Sequence, residues 1–156
     1  MRPPLPYDQR RMAKECGRWL SERNFNVAAT VTLCQAKRYE AGRGIGWRGG
    51  DAILYEGVYT SLINRLSRAV YGRRAYASGS RLANAGGLEG DRGIVAHHFH
   101  ISLERPDWMP FDKFKLLVEE TWLQSPWVKP DLKVEEIHGA WDYYITKEGP
   151  DALLLA

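Results

Sequence analysis

Two histidines one residue apart, His98 and His100, and a tyrosine with a lysine three residues on, Tyr144 and Lys147, are the side chains here whose types and spacing can do chemistry. Alternate side chains of a β-strand share a face, so His98 and His100 project together while His97 and Phe99 point the other way. Two imidazoles on one pleat form a chelate that lacks only an acidic third ligand. On a helix, a three-residue offset puts the Tyr144 phenol and the Lys147 ammonium on one side. A metal clamp beside a tyrosine nucleophile is equipment for cutting a phosphodiester and keeping hold of one end.

The third ligand is expected from the neighbouring strand of a hairpin. Glu89 sits just before a predicted turn at Gly90-Asp91-Arg92-Gly93 and is the natural donor, with Asp91 and Glu104 as further carboxylates in reach of the same strand. Two imidazoles and a carboxylate leave coordination positions open and suit Mn²⁺, with Mg²⁺ a less comfortable substitute; zinc accepts the same ligand types. Such a cation polarises a scissile phosphate and offsets charge in the transition state. A free phenol, with a pKa of about 10, is protonated at neutral pH and needs activation. The Lys147 charge favours phenolate and can steady the non-bridging phosphate oxygens. Tyr143, four residues before Lys147, fits one helical face as well, so spacing leaves two candidate nucleophiles.

These groups must be positioned by the elements around them. Tyr7 to Arg23 reads as a helix with Met12, Cys16, Trp19 and Leu20 along its apolar stripe, ended by Asn24 and Asn26. Val27 to Ala36, small and β-branched, reads as a central strand. Residues 40–51 are Gly-rich and read as loop; Gly42-Arg43-Gly44-Ile45-Gly46 lacks the leading strand and following Lys-Ser/Thr of a phosphate loop. Gly57 to Tyr71 is an amphipathic helix with Tyr59, Leu62, Ile63, Leu66 and Val70 inward and Arg65 and Arg68 outward. A basic Gly/Ser stretch, 72–81, leads to the hairpin of Leu82–Glu89 with Ile94–Leu103. Pro106 and Pro110 stop the sheet, Phe111 to Gln124 is a second amphipathic helix, Asp131 to Ile137 a short strand and Gly139 to Lys147 a last helix. The order β–α–β–β–α–β predicts an α+β fold, its antiparallel central sheet in a ferredoxin- or RRM-like arrangement flanked by helices.

At 156 residues the chain fits one domain, and 44% hydrophobic with 26% charged residues excludes a disordered or fibrous protein. Six Trp and eight Tyr are enough that some must lie on a surface or in a groove, where flat rings can stack on bases. The net charge of +3 says less than its distribution: Arg65, Arg68, Arg73, Arg74 and Arg81 occur with no acidic residue among them. Such a run is either a solvated helix end or a phosphate-binding patch. Cys16 and Cys34 form no CxxC; Cys34, in an apolar strand, is expected to be a buried free thiol, which points to a reducing compartment. The N-terminus carries no apolar signal-peptide run and no segment reaches membrane-spanning length, so a soluble cytoplasmic protein without a membrane partner is expected.

His-hydrophobic-His followed by Tyr-x-x-Lys resembles the HUH endonuclease superfamily, and most closely the rolling-circle replication initiators, or Rep proteins. Tyr144-Ile145-Thr146-Lys147-Glu148-Gly149 is similar to the tyrosine motif of Reps from small circular replicons, and Leu88-Glu89-Gly90 before the histidine strand is similar to their acidic-ligand hairpin. Thr30-Val31-Thr32-Leu33 stands where that family has its first motif, a strand near the DNA. The resemblance covers residues 27–149 as a catalytic core, with residues 1–24 as an added N-terminal helix. It implies nicking and rejoining of single-stranded DNA at an origin or hairpin, with Tyr144 as the residue that becomes a 5′-phosphotyrosine and Lys147 as its helper. Glu89, His98 and His100 would hold the metal; Thr30, Thr32, Arg73, Arg74 and Arg81 would contact the strand. No helicase domain is expected, so a separate helicase is an implied partner, and the single tyrosine motif implies sequential nicking and closing or cooperation between copies. Single-tyrosine HUH transposases share the clamp but carry Gln where Lys147 stands, and relaxases place the tyrosine before the histidines. His100-Ile101-Ser102-Leu103 also resembles half of a two-histidine phosphoesterase, but His138-Gly139-Ala140 does not supply the other half. A single-strand-binding module without catalysis is the non-enzymatic alternative; binding alone does not require the metal and tyrosine residues.

Overall fold

The computed structural model describes residues 5–41, 44–91 and 95–156. Helix α1 (Tyr7–Ser21) precedes β1 (Val27–Thr32), a hairpin of β2 (Ala36–Ala41) and β3 (Gly44–Gly49), and the long helix α2 (Ala52–Tyr71). A short α3 (Arg73–Ala77) leads to β4 (Asn84–Asp91) and β5 (Val95–Leu103). Then come α4 (Phe111–Trp122), β6 (Lys133–Glu136), the four-residue α5 (Trp141–Tyr144), a 3-10 turn (Pro150–Ala152) and β7 (Leu153–Leu154).

The main sheet has the order β6-β1-β5-β4-β7 with every neighbouring pair antiparallel. Counting only the four strands of the β–α–β–β–α–β core, the order is 4-1-3-2, the ferredoxin-like arrangement expected from the sequence. Strand period explains the two faces. Val27, Ala29, Val31, Phe99, Ile101 and Leu103 point to one side, where α2 and α4 cover them with Tyr59, Leu62, Ile63, Leu66, Phe114, Val118 and Trp122. Tyr59 meets Phe99 edge-on at 5.5 Å, and the Trp122 indole N–H donates to the Leu62 carbonyl at 2.9 Å. On the other face a smaller cluster of Leu20, Ala85 and Ile145 docks α1 and the segment after α5. That second face carries the histidines.

Four sequence expectations change. Residues 40–51 were expected to be loop, yet Ala36–Ala41 and Gly44–Gly49 pair as an antiparallel hairpin; cross-strand hydrogen bonding overrides the weak strand preference of glycine. Residues 42 and 43 of that stretch, like Arg92 and Gly93 of the predicted turn and Ile94 at the start of the strand after it, lie outside the described residues. The buried face of α1 is Ala13, Gly17 and Leu20, whereas Met12 and Trp19 are exposed, because α1 meets its partners through small residues at close range. Cys34 lies one residue beyond the Leu33 bridge and is half-buried rather than enclosed in β1. The last helix is only Trp141–Tyr144, with hydrogen-bonded turns carrying the chain on to Gly149. None of the described helices is long and apolar enough to cross a membrane.

Candidate active site

The register of three strands builds the site. Glu89 of β4 stands opposite His98 of β5, Thr32 of β1 stands opposite His98 on the other side, and Thr30 stands opposite His100. All belong to the face away from the main core, as strand period requires. His97 turns inward, where it bonds Gln35 at 2.8 Å and lies 5.0 Å from the Tyr55 ring.

Glu89, His98 and His100 offer one ligand atom each, all within 4.8 Å of one another. Glu89 Oε2 lies 3.1 Å from His98 Nε2 and 3.0 Å from His100 Nε2. The three side chains are 9–19% exposed, so the set sits just below the surface with one side open. His98 Nδ1 lies 2.9 Å from the Ala96 carbonyl, which can only accept, so Nδ1 carries a proton and Nε2 can offer a lone pair. Thr30 Oγ1 is 3.4 Å from His100 Nδ1 and, being both donor and acceptor, can serve either tautomer. The set can hold a divalent cation. Glu104, one of the other expected carboxylates, does not belong to it, and the side chain of Asp91 lies outside the described residues.

Electrostatics favour ligand-ready forms. Burial pushes the His100 imidazole down to about 4, and its neighbours His98 and Lys147 push the same way against the pull of Glu89. It is therefore neutral at neutral pH. Burial pushes the Glu89 carboxyl up, but Lys147 and the two imidazoles outweigh that and hold it below its ordinary value. Burial likewise lowers Lys147, yet Glu89 and the Tyr144 oxygen leave the ammonium above the usual lysine range.

Lys147 joins the candidate metal ligands to the tyrosine. Its Nζ is 2.8 Å from Glu89 Oε2 and 2.8 Å from Tyr144 Oη. The Tyr144 ring lies 4.8 Å from the His100 ring, stacks on Trp141 at 5.7 Å and is 42% exposed. Tyr143 points elsewhere: it packs so closely on Gly17 of α1 that a Cβ there would lie 2.5 Å from its ring. The two tyrosines that spacing could not separate thus occupy different surroundings, and only Tyr144 faces the ligands.

Thr32 is on the site face but bonds Asp131 at 3.0 Å. The arginines expected near the strand are not brought to the site. The Leu82 N–H bonds Ser67 near the end of α2, whereas the first turns of α2 lie by Cys34 and His97; Arg73, Arg74 and Arg81 are therefore at the opposite end of that helix. Arg81 is also held locally, donating to the Tyr76 and Ser80 carbonyls and stacking on the Tyr76 ring at 3.7 Å.

Sequence reasoning overlooked what secures the tyrosine turn. Ser102, fully buried two residues beyond His100, donates to Asp142 at 3.1 Å. Burial pushes the Asp142 carboxyl up, opposed by that hydroxyl. Gly87, two residues before Glu89, leaves room for the Ile145 carbonyl, which a Cβ would strike. Trp141 meets His100 edge-on at 5.5 Å. The available signal was period: each strand residue sits two positions from a ligand, and Trp141 is three before Tyr144. Searches against protein-family models, curated proteins and solved structures return no match to this chain.

Proposed function

We propose that this protein nicks and rejoins single-stranded DNA at a specific origin or hairpin through a covalent 5′-phosphotyrosine, and so initiates rolling-circle replication of a small replicon. The observation that carries this reading is the convergence of Tyr144 Oη, Lys147 Nζ and the Glu89–His98–His100 set on one open face. Tyr144 attacks the scissile phosphorus in line; the new O–P bond forms as the bond to the 3′ oxygen breaks. The phenol gives up its proton and the departing 3′ oxygen takes one up, leaving a free 3′-hydroxyl that can prime synthesis. Lys147 lowers the cost of the phenolate and neutralises a non-bridging oxygen. Mn²⁺, or Mg²⁺ as the harder fit, bound by two imidazoles and a carboxylate would polarise the phosphate as a Lewis acid. The retained phosphotyrosine conserves the bond for resealing by the released 3′-hydroxyl.

The test is direct. Incubation with single-stranded oligonucleotides and Mn²⁺, followed by a denaturing gel, should give a protein–DNA adduct that EDTA prevents. Failure to form it across a randomised oligonucleotide pool with Mn²⁺ and Mg²⁺ would remove the nuclease reading.

A further inference from the structure

The basic stretch 72–81 lies away from the candidate site, but a different set of cations lies next to it. Tyr7, Arg11, Lys14 and Arg18 recur at helical spacing and so share one stripe of α1, with Arg10 beside it. All five side chains are exposed. Asp8 and Glu15, three and four residues from Arg11, border this stripe on one side, but neither forms an ion pair among the described residues. Arg10 and Lys14 precede Gly17 by seven and three residues and therefore share its side of the helix. Gly17 is where the Tyr143 ring packs, so this basic surface borders the turn that carries Tyr144. Further along, Gly149 lies beside Leu5 and Gln9, so the segment after the tyrosine runs along α1.

Arg10, Arg11 and Lys14 make no ion pair among the described residues. Arg18 pairs with Glu22 at 3.6 Å, both largely exposed, a contact of little energetic weight. Lys14 and Arg18 follow one another at about 6 Å along the helix axis, as Lys14 follows Arg10. That repeat is close to the phosphate spacing of an extended single strand, and Tyr7 at the end offers a 70% exposed ring on which a base can stack.

Building on the proposed nicking activity, we infer that α1 is the guide for the single strand flanking the scissile phosphate, with Arg10, Arg11 and Lys14 on its phosphates. The partner is single-stranded DNA because the surface combines unpaired cations, a free aromatic ring and continuity with the tyrosine turn.

The experiment measures binding of a labelled single strand over a series of salt concentrations for the Arg10→Gln/Arg11→Gln/Lys14→Gln variant. Three lost phosphate contacts should lower the log–log salt slope by about 2, at roughly 0.7 per contact, and weaken low-salt binding about tenfold or more. Lys113→Gln/Lys115→Gln on α4, across the sheet, should change neither. Lys14→Gln alone, expected to lower the slope by about 0.7, serves if the triple variant folds poorly. An unchanged slope in the α1 variants, or an equal loss from Arg73→Gln/Arg74→Gln, would overturn the assignment. These slopes are read without cleavage, so a protein that binds single strands through α1 but forms no adduct would refute the nuclease reading and leave the guide standing.

Discussion

Lys147 and Glu89, 58 positions apart in sequence, form an ion pair of 2.8 Å through the same carboxylate oxygen that faces both histidines. One oxygen thus links the strand hairpin that presents the imidazoles to the turn that presents Tyr144. Any cation held by Glu89 competes with Lys147 for that oxygen, and Lys147 has Tyr144 Oη as its alternative partner at the same distance. On the proposed reading, this geometry would couple filling of the metal set to the contact between Lys147 and the Tyr144 oxygen.

The first prediction concerns the ligands. His98→Ala, His100→Ala and Glu89→Gln should each abolish detectable adduct formation and weaken Mn²⁺ binding at least tenfold, read by the electron paramagnetic resonance signal of free Mn²⁺. Single-strand affinity should stay within about threefold, since it rests on phosphate and stacking contacts elsewhere. Cleavage that persists without either histidine would show that the cluster is structural.

The second separates the tyrosines. Tyr144→Phe keeps the ring stacked on Trp141 and loses the adduct; Tyr143→Phe, altering a ring packed on Gly17, keeps it. Lys147→Ala should slow adduct formation by about 10²-fold or more while DNA binding persists. Peptide mapping of the adduct decides: a nucleotide on Tyr143 would reverse the assignment.

Much of this was legible because it depends on period. His98, His100 and Glu89 share a face by strand alternation and hairpin register, and the α2 stripe from Tyr59 to Val70 is buried as its spacing requires. What period could not supply was close approach between distant segments. Gly17 beneath Tyr143 and Gly87 beneath Ile145 look like ordinary glycines until the turn is docked on them. The arginine run at 65–81 was legible as charge, but its place relative to the site depends on the direction of α2 across the sheet. The hairpin at 36–49 was missed because its glycines gain their strand character only from pairing.

The third prediction follows from one of those glycines. Gly87→Ala puts a methyl group against the Ile145 carbonyl, a backbone atom that can yield only if the whole tyrosine turn shifts. Overpacking of this kind costs about 1–3 kcal/mol, measurable as a lower thermal midpoint. Adduct formation should fall by more than Mn²⁺ affinity, because Glu89 and the histidines are held by strand pairing and Tyr144 by the docked turn. Equal losses in both would mean that the substitution disturbs the sheet.

The fourth concerns acid stability of the metal-free protein. His100 is held at about 4 in the folded chain, chiefly by burial, against an ordinary 6.5. As pH falls below about 6.5 the unfolded chain takes up a proton there that the folded chain refuses until about pH 4. The unfolded state binds more protons across that window, so stability rises with pH within it and is complete above it. One pKa unit corresponds to about 1.4 kcal/mol, which caps the loss at roughly 3–4 kcal/mol. Glu89, held below its ordinary value, adds to the loss only at the acid end, as pH falls past 4.5 toward its lowered value. Between about pH 6.5 and 5, urea denaturation in EDTA should therefore show falling stability in the wild type and a flatter profile in His100→Gln, where no imidazole remains to titrate. The same slope in both proteins would assign the effect to another group and remove the case for a neutral, desolvated His100.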